Sequence, residues 1–389
     1  MLPKFTPMQE KNRTIAIDVL RGFALLGILL VNMSNFHSPV LYMDSFKYWP
    51  SHVDQFFSNF VELFAQGNFY PLFAFLFGYG AMIIAERSQM KGIYFPTFFA
   101  RRLAILLVIG CTHAFLIWNG DILITYAIVG VFFIFFYKLS GNALLRLGMF
   151  VYTIPVLINL FTIQAQQQFI SNPNAVHTSI ETYSSGTINE IIKQRVADWA
   201  YMNLEVSAIS LSVGVFGLML MGAAFSKLRL LVEVDKHKNL LRGLLIVGFL
   251  LGFGPRIAFF LQLDNFFFMI LQEHFSGAFI ALFYMTTIVL LAQTKFGHKL
   301  LHPLSHVGRL SMSNYLLQSI CMTFIFYSYG LGLYGSISYT TGFVLVFAFF
   351  ILQIFISKWW AKRFHFGPVE FVWRWATYGK KPTFKKTLH

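Results

Sequence analysis

Long apolar runs alternate with short polar segments from residue 15 to residue 357. A helix needs about 20 mostly apolar residues to cross a bilayer, and roughly ten runs meet that requirement. They cover about 15–34, 68–86, 103–119, 121–139, 141–163, 206–226, 239–260, 267–292, 309–329 and 336–357. The pattern predicts an all-α polytopic membrane protein, a bundle of about ten transmembrane helices.

The composition agrees with a membrane location. Of the 389 residues, 57% are apolar, 18% are aromatic and only 12% are charged, and the mean hydropathy is +0.62. Soluble domains usually carry about 25% charged residues. These values exclude a disordered chain, a nucleic-acid-binding module and an ordinary cytosolic enzyme.

The positions of the basic residues predict the orientation of the helices. The net charge is +14, with 30 Lys and Arg residues. If residues 1–14 lie inside, only Lys47, Lys193 and Arg195 fall in outside segments. Because basic residues concentrate on the cytoplasmic side of membrane proteins, we expect both termini to be cytoplasmic. This distribution explains the positive charge without a nucleic-acid partner.

One long polar segment divides the chain. We expect a cytoplasmic N-terminus (1–14), a first half of five spans (15–163), an external polar loop (164–205), a second half of five spans (206–357) and a basic, aromatic cytoplasmic tail (358–389). Within the external loop, residues 188–203 have the spacing of a short amphipathic helix. The tail has the composition of a segment in the inner headgroup layer.

Ionisable side chains within the spans are costly and therefore mark candidate functional residues. On the first span, Asp18 and Arg21 are three residues apart and can form an ion pair. Asn32 follows Arg21 after about three turns, and Asn35 follows one turn later. The four residues form a polar stripe from the inner to the outer side. A helix-anchoring ion pair with a polar outer cap is the alternative to a cavity-lining stripe.

A second cluster lies in the hairpin between the third and fourth spans. Asn119 and Gly120 indicate the turn, and Asp121 follows where it would cap the fourth span. His113 lies about 9 Å below the turn, with Tyr126 at a similar depth. A histidine held near a carboxylate is suited to accept a proton. Helix capping alone and a structural histidine are the alternatives.

A third cluster is predicted where the seventh and eighth spans meet. Folding the chain about the loop near Asp264 brings Arg256 level with Glu273, so we expect an ion pair, and Pro255 predicts a break or kink. The pair either only joins two helices, or the small residues at positions 276–278 form the wall of a pocket. Seven polar residues fall in the outer half and predict an outward-facing chamber: Asn32, Asn35, His37, His113, Asp121, Arg256 and Glu273.

Five ordered motifs carry a resemblance to a known family. They read IDVLRGFALLGILLVNMSNF, NFYPLFAFLFGYG, RRLAILLVIGCTHAFLIWNGDILITYAIVG, GRLSMSNYLLQS and FGPVEFVWRWATYG. From about residue 13 to residue 380, the chain resembles the YeiB family of bacterial membrane proteins, which carry a domain of unknown function. The resemblance implies a multi-pass protein of the bacterial plasma membrane.

The first span also resembles that of heparan-alpha-glucosaminide N-acetyltransferases and of bacterial membrane O-acyltransferases that modify glycans. The Arg-to-His spacing of the bacterial enzymes corresponds here to Arg21 and Asn32, and the heparan enzyme likewise has Asn. That enzyme's catalytic His lies in the outer loop, where His37 is nearest but differently spaced. Within the YeiB family, the matching residue is His113, followed by Asp121. The resemblance implies an acyltransferase with acyl-CoA as donor.

Together these observations predict acyl transfer from a cytosolic acyl-CoA to a hydroxyl or amine acceptor. Arg21 would bind the CoA phosphates, His113 would accept the acceptor's proton with Asp121 orienting it, and Asn32 would stabilise the oxyanion. The remaining candidate binding residues are Asp18, Asn35, His37, Tyr126, Arg256 and Glu273. The expected partners are membrane lipid and a small-molecule, glycan or lipid acceptor, with no metal. A transporter or exporter of a small solute or lipid is the alternative, because a polar stripe through the bilayer suits transport.

Overall fold

The fold is all-helical, as the hydrophobic pattern predicts. The computed structural model describes residues 15–43, 48–161, 172–204, 206–261 and 271–386, and 81% of it is helix. Within those ranges, the β pairing is a single bridge between Phe364 and Lys385. The predicted cytoplasmic segment 1–14 and the predicted loop near Asp264 lie outside the described residues.

The helices follow one another along the described residues. Up to the segment predicted to be external they are α1 (Ile15–His37), α2 (His52–Phe64), α3 (Phe69–Met90), α4 (Phe95–Thr112) with a π-helical turn (His113–Ile117), α5 (Leu123–Phe136) and α6 (Gly141–Phe161). The described part of that segment contains α7 (Pro173–Ser185) and α8 (Ile188–Asn203). Then follow α9 (Val206–Lys227), α10 (Val234–Phe260), a π-helical turn (Leu271–Ser276), α11 (Gly277–Leu291), α12 (Lys295–Arg309), α13 (Ser311–Phe326), α14 (Tyr339–Arg363) and α15 (Pro368–Tyr378).

The helices are those of a multi-pass membrane protein. Among the described residues, seven helical segments are long and apolar enough to cross a bilayer, or up to eight if the bent pair α11–α12 is one span. The chain bends by 119° between α11 and α12. Helix α5 has 14 residues and is roughly 21 Å long, which is shorter than a hydrocarbon core of about 30 Å. The number of ten spans, the cytoplasmic termini and the division into two halves stay predictions.

Close helix packing holds the bundle together. Helix α9 packs against α3 and α6, α10 packs against α11, and α12 packs along α1. At Gly78 of α3, a Cβ atom would lie 1.9 Å from the carbonyl oxygen of Met219 in α9. Small residues allow such close backbone approach in membrane bundles, so this glycine sets the α3–α9 distance.

Two segments outside the spans have defined structure. Residues 188–203 form α8, which confirms the predicted helix. The preceding helix α7 was not predicted; its N-terminus is capped by Asn172, whose side chain accepts the N–H of Ala175. The tail helix α15 packs against α4, because the indole of Trp373 donates to the carbonyl of Arg102 at 3.0 Å.

Candidate functional site

Side chains from the π-helical turn, from the segment before α5 and from α13 form a buried hydrogen-bonded chain. His113 Nδ1 lies 2.8 Å from Asp121 Oδ1, and His113 Nε2 lies 2.9 Å from Ser319 Oγ. His113 is 0% exposed, Asp121 7% and Ser319 1%. The predicted association of His113 with Asp121 is thus present in the structure. Ser319 of α13 is an additional partner that sequence reasoning did not single out, although it ends the motif GRLSMSNYLLQS.

The local backbone explains why His113 and Asp121 meet. Helix α4 widens into a π-helical turn that begins at His113, and the N–H of Trp118 closes it on the His113 carbonyl at 2.8 Å. The chain then reverses, and Asp121 Oδ2 accepts the N–H of Ile124 at 2.8 Å in the first turn of α5. Asp121 therefore caps α5 with one oxygen and holds His113 with the other. π-Helical turns within α-helices are frequent at functional sites.

Aromatic rings enclose the imidazole. The ring centroid of Tyr315 lies 5.0 Å from that of His113, and the Tyr315 hydroxyl donates to the Gly120 carbonyl at 3.3 Å. Trp118 lies 6.3 Å from His113 and 4.1 Å from Phe36, centroid to centroid. A Cβ atom at position 120 would lie 2.1 Å from the Trp118 indole, so the turn requires glycine there.

Two other predicted residues make no hydrogen bond to the His113 chain within the described residues. The Tyr126 hydroxyl donates to the Tyr70 carbonyl of α3 at 3.1 Å. Asn32 is half-buried on α1, and no hydrogen bond in the described part of the chain joins it to His113 or Asp121. Its proposed role at the oxyanion stays a prediction.

The predicted pair on the first span is confirmed, because Arg21 Nη1 lies 3.5 Å from Asp18 Oδ1. Arg21 also approaches α3, where its Nη2 would be 3.4 Å from a Cβ atom at Gly80. Arg102 of α4 is close enough to interact electrostatically with both Arg21 and Arg374. Three guanidinium groups therefore gather at the end of the bundle predicted to be cytoplasmic.

Arg256 binds the end of helix α2. Its guanidinium donates to the carbonyls of Glu62, Leu63 and Gln66 and to Asn68 Oδ1, and its Nε donates to Ser276 Oγ. Carbonyls in the last turn of a helix lack partners within the helix, so this arginine satisfies them. The Glu273 side chain lies outside the described residues, and the predicted Arg256–Glu273 pair stays a prediction.

A small cleft opens beside the turn after His113, at the end predicted to be external. Its empty volume, including space open to solvent, is about 240 Å³. It is lined by Asn35, Ser38, Pro39, Val40, Leu41, Tyr42, Asn119, Ser179, Tyr183, Asp198, Tyr327 and Tyr334. Asn35 is thus a lining residue, as the polar stripe suggests. His37 is buried nearby and its Nδ1 lies 2.7 Å from Ser38 Oγ.

Asp198 of α8 organises one wall of this cleft. Its carboxylate accepts hydrogen bonds from the hydroxyls of Tyr42 and Tyr183, both at 2.6 Å, and from Gln194 Nε2 at 2.7 Å. Burial raises the pKa of Asp198, and these three hydrogen bonds oppose the rise. The carboxylate joins α8 to α7 and to the segment after α1.

The raised pKa of Asp198 predicts a pH-dependent stability. A carboxyl that binds its proton more tightly when folded stabilises the fold most at low pH, and this contribution is lost as the pH rises through the folded pKa. As the pH rises above the ordinary aspartate pKa of about 3.9, the melting temperature of the wild type should fall more steeply than that of Asp198→Asn. Glu181→Gln, at an exposed carboxylate of α7, is the control. Parallel wild-type and Asp198→Asn curves would contradict the prediction.

Helix α8 also supports the turn that carries His113. Arg195 was assigned to the outer surface by sequence, but its side chain is fully buried. It donates to the Leu116 carbonyl at 2.7 Å and to the Tyr329 hydroxyl at 2.9 Å. An arginine can bind carbonyl groups of an irregular turn because it carries several donors, so α8 fixes the π-helical turn in place.

The protein is a helical membrane bundle that holds a buried Asp–His–Ser hydrogen-bonded chain. By the comparisons that follow, the protein belongs to the YeiB-like family, whose function is unknown. The family profile described as "Protein of unknown function (DUF418)" matches residues 225–380. The chain is 34% identical to "Uncharacterized protein YxaH" of Bacillus subtilis over 98% of both chains. It is 30% identical to "Uncharacterized protein YeiB" of Escherichia coli over 94% of this chain and 96% of that protein. No solved structure matches it.

Proposed function

We propose that this protein is a membrane-embedded acyltransferase of the bacterial plasma membrane. It would move an acyl group from a cytosolic acyl-CoA to a hydroxyl or amine acceptor at or beyond the outer leaflet. The observation that carries the proposal is the chain Asp121–His113–Ser319. Because a carboxylate only accepts hydrogen bonds, Asp121 favours the tautomer with hydrogen on Nδ1 and leaves Nε2 basic. His113 can then accept a proton from a hydroxyl or amine.

The burial of this chain supports transfer rather than hydrolysis. His113 is inaccessible to water, and aromatic rings surround it. A site that excludes water strengthens electrostatic interactions and protects a reactive acyl group from hydrolysis. Asn32 would add an amide donor for the developing oxyanion, since its side chain makes no hydrogen bond within the described ranges.

The cluster of Arg21, Arg102 and Arg374 suits the phosphates of a CoA thioester. Arginine binds phosphate through two parallel hydrogen bonds, which lysine does not. Trp373 orders this cluster, because the Arg102 guanidinium lies 3.6 Å above its ring. Asp18 pairs with Arg21 in this cluster, and a polyanionic donor would add a second kind of acidic partner for the guanidinium groups.

The cleft beside the turn supplies a place for the acceptor. It borders Asn119, two residues before the Asp121 that holds His113, and it is lined by hydroxyl, amide and carboxylate groups. Such groups bind hydroxyl-rich or amine-bearing small molecules, glycans and lipid headgroups. An acceptor bound there would lie on the same side of the bundle as His113.

Transport of a small solute or lipid is a second candidate function. A buried network joins α13 and α14, in which Gln318 donates to Gln353 Oε1 at 2.9 Å and Asn314 donates to Ser357 Oγ at 2.9 Å. Polar groups buried within membrane bundles often mark a substrate path. A transporter would move its solute without consuming an acyl donor.

Label transfer in inverted membrane vesicles tests the acyltransferase. Vesicles containing the full chain are given radiolabelled acetyl-CoA or palmitoyl-CoA, and label is counted in lipid and glycan fractions. We expect label transfer only in vesicles that contain the protein. Arg21→Gln should raise the KM for the donor about 10–100-fold, since a hydrogen bond to a charged group contributes about 1.5–3 kcal/mol.

The matched control is Arg242→Gln, because Arg242 is exposed on α10 and should leave the KM unchanged. Equal effects of both substitutions would contradict the donor site. Absence of chain-dependent transfer from both donors would contradict the acyltransferase, and solute uptake without loss of the acyl group would support the transporter.

A further inference from the structure

We propose that Ser319 is the nucleophile that carries the acyl group as an ester between donor and acceptor. This inference rests on the proposed acyl transfer and gives it a two-step course. It starts from a juxtaposition: Ser319 Oγ lies 2.9 Å from the nitrogen of His113 that Asp121 does not contact. A nucleophile beside a base that is oriented by a third group is the arrangement that activates serine on unrelated folds.

The direction of the hydrogen bonds agrees with an activated serine. Asp121 accepts from Nδ1, so Nε2 of neutral His113 has no proton and Ser319 must donate to it. When the hydroxyl loses its proton, the resulting imidazolium is stabilised by the adjacent carboxylate. Asp121 is itself held by the N–H of Ile124, which keeps its Oδ1 directed at His113.

Ser319 differs from other hydroxyl residues of the helices. Thr286, Thr323 and Ser212 donate to the carbonyl four residues earlier in their own helices, at 2.8 Å each. This internal bond is the usual way to satisfy a hydroxyl in an apolar helix. The bond that the structure gives Ser319 Oγ instead crosses to His113, 206 residues away in sequence.

An unsatisfied donor lies next to the same site. The indole Nε1–H of Trp118 is buried without an acceptor in the described part of the chain, and its ring packs 6.3 Å from that of His113. Buried polar groups nearly always have partners, so this N–H is suited to a ligand oxygen. The carbonyl oxygen of a bound acyl group, which becomes negatively charged on attack, is such a partner.

The reaction balances in two steps. In the first, Ser319 Oγ attacks the thioester carbonyl carbon, the C–S bond breaks, and the serine proton passes through His113 Nε2 to the CoA sulfur, which leaves as a thiol. In the second, the acceptor hydroxyl or amine attacks the serine ester, its proton passes to Nε2 and then to Oγ, and Ser319 is regenerated. Neither step needs an oxidant or reductant.

Isotope exchange without acceptor tests the ester directly. The purified full-length protein is incubated with acetyl-CoA or palmitoyl-CoA and tritiated CoA, and label entering the acyl-CoA pool is measured. We expect exchange in the wild type, its loss in Ser319→Ala, and acyl mass on the peptide containing Ser319. Thr323→Val is the matched control, because it removes a buried hydroxyl one turn further along α13 and should retain exchange.

Further measurements separate this inference from the proposed function. If Ser319→Ala does not fold, Ser319→Cys keeps a nucleophile and should carry acyl as a thioester. If the wild type transfers label in vesicles but shows no isotope exchange, Ser319 is not the nucleophile and the acyltransferase proposal stands. The same conclusion follows if Ser319→Ala transfers label at the wild-type rate. Absence of both exchange and vesicle transfer would overturn both.

Discussion

His113→Ala is expected to reduce acyl transfer about 10²–10⁴-fold, the usual contribution of a general base. The substitution removes the proton acceptor and leaves the Asp121 oxygen and the Ser319 hydroxyl without the partner they share. Each unsatisfied buried group costs about 1–3 kcal/mol, so some loss of thermal stability should accompany the loss of activity. The measurement is label transfer per folded molecule, with folded protein quantified by size-exclusion chromatography.

His113→Gln separates catalysis from packing. Glutamine can still form hydrogen bonds with its neighbours but cannot accept a proton at neutral pH, so it should regain stability without activity. His177→Ala, at an exposed histidine of α7, is the control and should change neither. A destabilised His113→Ala with full activity per folded molecule would show that the histidine is structural.

The contacts in the site that the sequence predicts correctly join residues that are close together in the chain. Asp18 and Arg21 meet because residues three apart share a helix face. His113 and Asp121 meet because an Asn-Gly turn reverses the chain between them and Asp121 caps the next helix. In both cases local geometry fixes the contact, so the pattern of residues predicts it.

Contacts between distant segments could not be predicted in this way. Ser319 reaches His113 only because α13 packs against the π-helical turn, and nothing in its neighbourhood in sequence signals that partner. By the distribution of basic residues, Arg195 falls in the segment predicted to be external, where charged side chains are usually solvated. The tertiary fold instead buries it against a carbonyl exposed by the irregular turn.

The number of spans illustrates a different limit. An apolar run reports that a segment avoids water but not whether it crosses the bilayer. Helix α5 is highly apolar yet short, and α12 turns sharply away from α11. Residues 293–308 lie between the predicted eighth and ninth spans, and residues 295–309 form a helix that continues through Pro303 and packs along α1. Such bends depend on tertiary packing.

Arg256→Ala is expected to destabilise the fold more than His113→Ala does. The arginine is 1% exposed and donates to three backbone carbonyls and two side-chain oxygens at the junction of α2 and α3. Each acceptor left unpaired in an apolar environment costs about 1–3 kcal/mol, against a total stability of about 5–15 kcal/mol for typical proteins. We expect a large fall in melting temperature in detergent and faster hydrogen exchange at residues 62–68.

The comparison of three variants identifies what Arg256 does. Arg242→Ala removes an exposed arginine from the same helix, and surface substitutions usually change stability by within about 0.5 kcal/mol. Arg256→Lys keeps the charge but has a single ammonium group, which cannot reach all of these acceptors, so it should recover only part of the loss. If the carbonyl groups are the main partners of Arg256, Glu273→Gln should lower the stability of the fold less than Arg256→Ala does. An equal cost would instead assign the role to the predicted Arg256–Glu273 pair, because breaking a buried ion pair is itself strongly destabilising.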